Sequence, residues 1–174
     1  DSEAKVEIVP GDARLSLERQ PPQDFDLLVV DAFTGDAIPI HLLTRQAFEL
    51  YFRHMKPNGI IAVHISNRYL DLRPVVQGVA DSLGKMTIYV QNEPDPELYI
   101  YKSEWMLVSG WNDFFKRADI RAASTPHPSN DRMPLWTDDY SSVFGIMKWI
   151  WNDGRSHTGL QSAPLDGPPQ KKLD

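Results

Sequence analysis

Asp31 ends the apolar run Leu27-Leu28-Val29-Val30. A run with no polar alternation reads as a strand covered on both faces, as in the middle of a parallel sheet. In open α/β sheets, ligands sit in the crevice beyond the carboxyl ends of such strands. A carboxylate placed there can take a proton or hold a cation; it can equally cap the turn that follows. Asp36 lies beside Gly35 in the next loop, either as a second carboxylate for that crevice or as a turn residue. Gly11-Asp12-Ala13 follows an earlier strand-like stretch and is, by itself, a common turn. His41 follows Pro39-Ile40 ahead of a helix, where it lines a pocket mouth or caps the helix. His64, inside an apolar stretch, reads as a satisfied core histidine, and Ser66 and Asn67 end that stretch as pocket-wall residues. In Asp138-Asp139-Tyr140 adjacent acids point in different directions on a helix or a strand, so at most one faces a site. The alternative is a capping pair before a final helix. No pair of histidines and carboxylates has metal-ligand spacing on one helix face, so no metal site is expected.

The elements that must position these residues follow from the apolar pattern. Lys5-Val6-Glu7-Ile8-Val9 alternates as a short strand stopped by Pro10-Gly11-Asp12. A helical stretch runs from Ala13 to about Arg19, and Phe25 to Asp31 is the strongest strand. From Leu43 to Lys56 the residues Leu43, Ala47, Leu50, Tyr51 and Met55 form a helical stripe. Thr44 is its N-cap and Pro57-Asn58-Gly59 its stop. Ile60 to Ile65 is a second buried strand, followed by a Ser66-Asn67-Arg68 turn. Leu72 to Leu83 is a helix, with Pro74 in its first turn and Gly84 just past its end. Met86 to Val90 and Trp105 to Ser109 are further strands, and Asn112 to about Ala118 a short helix. Ser124 to Met133 reads as linker. Ser141 to Trp151 reads as a last helix, with Phe144, Met147 and Trp151 on one face. That face is expected to pack on the sheet or against a partner. Beyond Asp153, glycines, prolines and two lysines without periodicity predict a disordered tail over 153–174.

Strand–helix alternation closed by two strands with only a loop between them implies an α/β, three-layer, mostly parallel sheet with an antiparallel hairpin at one edge. The 174 residues suit one domain. Eighteen basic against twenty-four acidic residues leave a net charge of −6. That balance argues against nucleic acid as the main partner. The longest aliphatic runs are far too short to span a bilayer. The absence of cysteine excludes disulfides, thiolate metal sites and cysteine nucleophiles. The chain opens on Asp1 without an initiator Met and reaches its first strand-like residues at Lys5, so it reads as a piece of a longer protein.

Three segments resemble the polyamine aminopropyltransferases, of which spermidine synthase is the type member. They are Gly11-Asp12-Ala13, then Phe25 to Phe33 (FDLLVVDAF), then Leu42-Leu43-Thr44 with Lys56-Pro57-Asn58-Gly59. The stretches Asp31 to Thr44 (DAFTGDAIPIHLLT) and His64 to Leu72 (HISNRYLDL) look closer to one subgroup. In those spermidine-synthase-like proteins the domain often follows a membrane-embedded, transporter-like segment. Trp136-Thr137-Asp138-Asp139-Tyr140-Ser141 is similar to that subgroup's C-terminal motif. The resemblance runs over residues 5 to 150.

The resemblance implies a Rossmann-like, AdoMet-dependent transferase fold truncated at its N-terminus, with 1–152 as the C-terminal portion of the catalytic domain. An antiparallel last strand is a habit of that enzyme class. The family's glycine-rich loop and its ribose-binding acid are expected upstream of Asp1, because the ten glycines here are scattered. The isolated chain is therefore expected to bind cofactor weakly and to be inactive alone. By resemblance Asp31 is the catalytic base for the attacking amine and also touches cofactor, and Gly11, Asp12 and Ala13 meet the adenine. Asp36, His41 and Tyr140 are implied as substrate-binding residues. The family has a second Asp three residues after the first; here that position is Thr34, which departs from the pattern for polyamine specificity.

The activity implied is aminopropyl transfer from decarboxylated S-adenosylmethionine to a polyamine such as putrescine, without a metal. A methyltransferase using S-adenosylmethionine on the same fold is the first alternative, since fold alone does not separate them. A non-catalytic domain partnering a membrane transporter-like segment is the second. A homodimer and a membrane domain in the parent chain are the partners implied, with this domain on the cytoplasmic side of an inner or plasma membrane.

Overall fold

Two apolar runs pair residue for residue. In the computed structural model, which describes residues 3–32, 39–126 and 134–148, β1 (Phe25–Val30) and β2 (Met55–His64) are parallel neighbours. Leu27 faces Ile60, Leu28 faces Ile61, Val29 faces Ala62 and Val30 faces Val63. Toward the start of these strands the register slips: two steps in β1, from Phe25 to Leu27, match five in β2, from Met55 to Ile60. The three extra residues fall within Lys56-Pro57-Asn58-Gly59. Proline has no N–H for the ladder, so this segment bulges. It lies inside β2, not between helix and strand as the sequence suggested. Gly59 is required there, since a Cβ would stand 2.8 Å from the Phe25 carbonyl oxygen and 2.7 Å from Met55 Cε.

The sheet is completed by β3 (Met86–Asn92) and β4 (Ser103–Ser109), in the order β1-β2-β4-β3. β4 runs antiparallel to both β2 and β3, so β1, β2 and β3 share one direction. The result is the α/β, Rossmann-like arrangement expected, with a hairpin at one edge. Its reversed strand is the inner member of the hairpin, one place in from the edge. The expected strand over Lys5–Val9 does not form. A strand is stable only through a neighbour's ladder, and among the described residues no pairing reaches this segment; Val6 is 78% and Ile8 84% exposed.

Among the described residues there are five α-helices: α1 (Ala13–Arg19), α2 (Arg45–Arg53), α3 (Arg73–Ser82), α4 (Asn112–Lys116) and α5 (Ala118–Ala123). α2 starts at the expected cap, where Thr44 Oγ1 accepts the Ala47 N–H at 3.3 Å. It ends at Arg53, three residues before the expected Lys56, because Met55 already belongs to β2. α3 agrees with the pattern to one residue at each end. α5 occupies a stretch the pattern left without a helix.

The core lies on one face of the sheet. Phe48, Val63, Val76, Met106 and Trp136 are fully buried there, with Leu28 and Val30 packed against it. Each such side chain contributes about 1.5–3 kcal/mol of hydrophobic stabilisation. By strand alternation Leu27 and Val29 point to the opposite face. They remain 57% and 50% exposed, so the expectation that both faces of this run are covered does not hold for β1.

The last segment is not a helix where it is described. A 3-10 turn at Phe144–Ile146 is followed by a bridge from Met147 to Leu70. The Asp71 N–H donates to the Ile146 carbonyl and the Lys148 N–H to the Tyr69 carbonyl, both at 2.7 Å. Backbone groups so used cannot make helical bonds. Ile146 is buried while Phe144 is 79% exposed. Trp151 and the expected tail over 153–174 lie outside the described residues. Among the described residues, no helix is long and apolar enough to cross a membrane.

Candidate functional site

Parallel pairing of Val30 with Val63 makes the next residues, Asp31 and His64, neighbours on one face at the carboxyl ends of β1 and β2. His64 Nδ1 lies 2.7 Å from Asp31 Oδ1, and His64 Nε2 lies 2.7 Å from Ser66 Oγ. A carboxylate only accepts, so Nδ1 carries a hydrogen. Ser66 Oγ accepts the Glu104 N–H at 2.8 Å, which leaves its own hydrogen for Nε2 of a neutral ring. The imidazole is held in one tautomer and one plane, stacked on Trp105 with centroids 4.7 Å apart. His64 is therefore not a core histidine; it is a ring at a strand end, fixed at both nitrogens. Asp31 is half exposed, and among the described residues no hydrogen bond falls on its Oδ2.

A second group gathers around the start of α1. Asp12 is its N-cap, with Oδ1 accepting the Leu15 N–H at 2.9 Å. Oδ2 lies 3.1 Å from His41 Nε2. The Leu15 amide, followed by His41, holds the Asp12 carboxyl below the usual carboxylate range. Gly11 has φ +124°, a conformation that side chains rarely adopt, and so turns the chain into the cap. Arg14, one turn in, donates Nη1 to Asp138 Oδ1 at 2.8 Å and Nη2 to Asp138 Oδ2 at 2.5 Å. The same Nη1 donates to the His41 carbonyl at 2.7 Å, and Thr44 Oγ1 donates to Asp138 Oδ1 at 2.7 Å. The hydrogen bonds from Arg14 depress the Asp138 carboxyl and raise the guanidinium in turn. Arg14, His41, Thr44 and Asp138 wall a cavity of about 500 Å³ with Ile40 and Ser141.

The buried Trp136 carries Asp138 to that position. Its ring sits in the core, and its carbonyl accepts the Arg45 N–H at 2.8 Å. Of the adjacent acids, only Asp138 turns inward, as side-chain directions require. Tyr140 is 64% exposed; its backbone closes a turn with Thr137, and its ring does not line the cavity. Ala13 is the first residue of α1. Asp36 lies outside the described residues.

Thus Gly11, Asp12 and His41 come together with Asp138, and Asp31 comes together with His64. Among the described residues no hydrogen bond joins the two groups. Sequence reasoning missed Arg14 entirely and misplaced His64. The second was readable: LLVV-Asp and IIAV-His are matching runs with a polar residue at the same place. Arg14 carries no such signal, because its partner is 124 residues away.

For a nucleoside cofactor the chain offers Asp12, whose oxygens each keep a second lone pair for an adenine amino group. Asp31 stands at the carboxyl end of β1 with Oδ2 carrying no hydrogen bond among the described residues.

No protein-family model matches the chain, and no curated protein sequence matches it. Among solved structures it is similar to a probable spermidine synthase from Corynebacterium glutamicum, with 21% identity, a TM-score of 0.43, and 57% of this chain and 36% of that one covered. It is similar to MnmC2 from Aquifex aeolicus, with 19% identity, a TM-score of 0.38, and 57% and 28% covered. A putative DNA modification methylase from Thermus thermophilus, solved with S-adenosyl-L-methionine, has 16% identity, a TM-score of 0.40, and 74% and 66% covered. The chain spans only part of the length of each.

Proposed function

We propose that this chain supplies the reacting end of an AdoMet-dependent transferase site, and that the group moved is the aminopropyl group of decarboxylated AdoMet. The acceptor is an amine such as putrescine. The observation that carries this reading is the Asp31 carboxylate at the end of β1, with Oδ1 tied to His64 and Oδ2 turned to no partner among the described residues. It is supported by the resemblance of FDLLVVDAF to the aminopropyltransferases.

Decarboxylated AdoMet supplies a carbon activated by the adjoining sulfonium. A protonated amine has no lone pair with which to attack it, so Asp31 Oδ2 accepts a hydrogen of the amine and takes the proton as the N–C bond forms. The C–S bond breaks with its electron pair going to sulfur, and methylthioadenosine leaves. His64 donates Nδ1–H to Asp31 throughout, keeping the carboxylate aimed and its other oxygen available. Asp12 holds the adenine amino group, and Gly11 and Ala13 lie against the ring. Asp36 and His41 bind the acceptor.

Methyl transfer from AdoMet is the second reading, favoured by Thr34 in place of the family's second Asp. The by-product separates the two. Incubation of the intact parent protein with each cofactor and putrescine gives methylthioadenosine for aminopropyl transfer and S-adenosylhomocysteine for methyl transfer. Turnover unchanged in Asp31→Asn removes Asp31 as the base. Absence of either by-product, and of nucleoside binding, in the intact parent favours the reading of a non-catalytic domain.

A further inference from the structure

Beyond the end of β2 the chain builds a cavity of about 370 Å³ whose charge opposes that of the whole protein. Its walls are Ser66, Asn67, Arg68, Lys102, Glu104 and Lys148. Three cations and one carboxylate leave it +2, in a chain of net charge −6.

The single carboxylate does not satisfy these cations. Glu104 Oε1 accepts the Tyr89 hydroxyl at 2.7 Å. Lys102 Nζ stands 3.9 Å from Oε1 and Lys148 Nζ 3.9 Å from Oε2. Both separations are too long for a hydrogen bond. Asp71, the next acid along the chain, is chelated by Arg73, whose Nε and Nη2 donate to it at 2.8 and 2.7 Å. Among the described residues Lys102 donates no hydrogen bond, and the one recorded contact of the Arg68 guanidinium is with the Tyr69 ring, 5.6 Å from its centroid.

Nor is the cluster a chance meeting of loose side chains. Lys148 is placed by its own N–H on the Tyr69 carbonyl at 2.7 Å and by Nζ on the Asn67 carbonyl at 2.9 Å. Asn67 Oδ1 accepts the Tyr69 and Leu70 amides at 2.9 and 2.8 Å, which locks the turn carrying Arg68.

We propose that this cavity is a binding site for a small anionic group, a carboxylate or a phosphate. Arg68, Lys102 and Lys148 meet the anion. Ser66 ties the site to the reacting end, because it lines the cavity and also contacts His64 Nε2. On the transferase reading above, on which this last step rests, the anion is a group of the acceptor itself, and the preferred amine is one bearing a carboxylate. Otherwise it is a free anion that occupies the cavity independently.

The test needs no transfer activity. The full chain is titrated with inorganic phosphate and with malonate at constant ionic strength, and backbone amide shifts are followed. Saturable shifts at Ser66, Asn67, Arg68 and Lys102 are expected. Arg68→Gln and Lys102→Gln should each weaken binding about tenfold, the worth of one charge-assisted hydrogen bond. Shifts that grow linearly with anion, or saturable binding that neither variant weakens, overturn the proposal. Should Arg68→Gln disturb the amide spectrum away from the cavity, Lys102→Gln decides, since Lys102 is half exposed at the entry to β4. The source of the anion is read by comparing ornithine with putrescine, the same diamine with and without a carboxylate. A preference for ornithine that both variants abolish supports an acceptor group. Phosphate binding that leaves both amines unaffected supports a free anion in the same site.

Discussion

Arg14 and Asp138 lie 124 residues apart and form a two-pronged ion pair, Nη1 to Oδ1 at 2.8 Å and Nη2 to Oδ2 at 2.5 Å. The pair fastens the last described segment to the first helix, and Thr44 at the start of α2 joins it through Asp138. Three distant pieces of chain thus meet around one cavity. The Arg14 side chain is largely buried, at 13% exposure, so the pair is screened less than a surface one.

Removing either partner should leave the other with weaker support only, Glu18 for Arg14 and the Thr44 hydroxyl for Asp138. Arg14→Met and Asp138→Asn are each expected to lower stability by about 1–2 kcal/mol in urea unfolding at neutral pH. The double variant should lose less than the sum of the two. Acid should act in the same direction. Asp138 titrates below its ordinary 3.8 in the folded chain, so its contribution is complete above that value and is lost as pH falls through the depressed one. Strict additivity in the double variant would show that the two side chains do not depend on each other.

In the intact parent protein Asp31→Asn is expected to lower transfer by at least about 100-fold, the usual scale for a general base. His64→Gln should cost less, because it removes the aim of the carboxylate but not the carboxylate. Nitrogen NMR of the ring should find the hydrogen of neutral His64 on Nδ1 and Nε2 bare. A ring with its hydrogen on Nε2 at neutral pH would contradict the Asp31–His64–Ser66 arrangement.

His54 is a different histidine. It is fully buried at the end of α2, stacked near Phe25, and neither ring nitrogen has a hydrogen-bond partner among the described residues. Burial, then the charge of Arg53, pushes its protonation below the ordinary 6.5. The unfolded chain therefore binds this proton first, and stability falls as pH drops below about 6.5. His54→Leu should flatten that decline between pH 6.5 and 5. It should also raise stability at pH 7 by about 1 kcal/mol, because two unsatisfied nitrogens are removed. An unaltered pH profile would show that His54 does not carry the decline.

Gly59→Ala should strain the bulge in β2, where the new methyl would press on the Phe25 carbonyl and Met55. Overpacking against backbone costs about 1–3 kcal/mol. The loss should be measurable as a lowered thermal midpoint, whereas Gly145→Ala, at a position with open space around it, should have little effect.

By itself the sequence determined the local pieces. The apolar runs before Asp31 and His64 define β1 and β2, Thr44 caps α2, and strand–helix alternation sets the α/β class. Each of these depends on neighbours along the chain or on the period of one element, so the pattern carries it. Tertiary structure alone decided what paired across the chain. The Lys5–Val9 pattern found no partner strand among the described residues. The segment after Ser141 gave its backbone to the turn at Tyr69–Asp71 instead of to a helix. The register of β1 on β2 brought His64 to Asp31, and the burial of Trp136 brought Asp138 to Arg14. Such contacts depend on which surfaces meet after folding, a quantity with no period in the sequence.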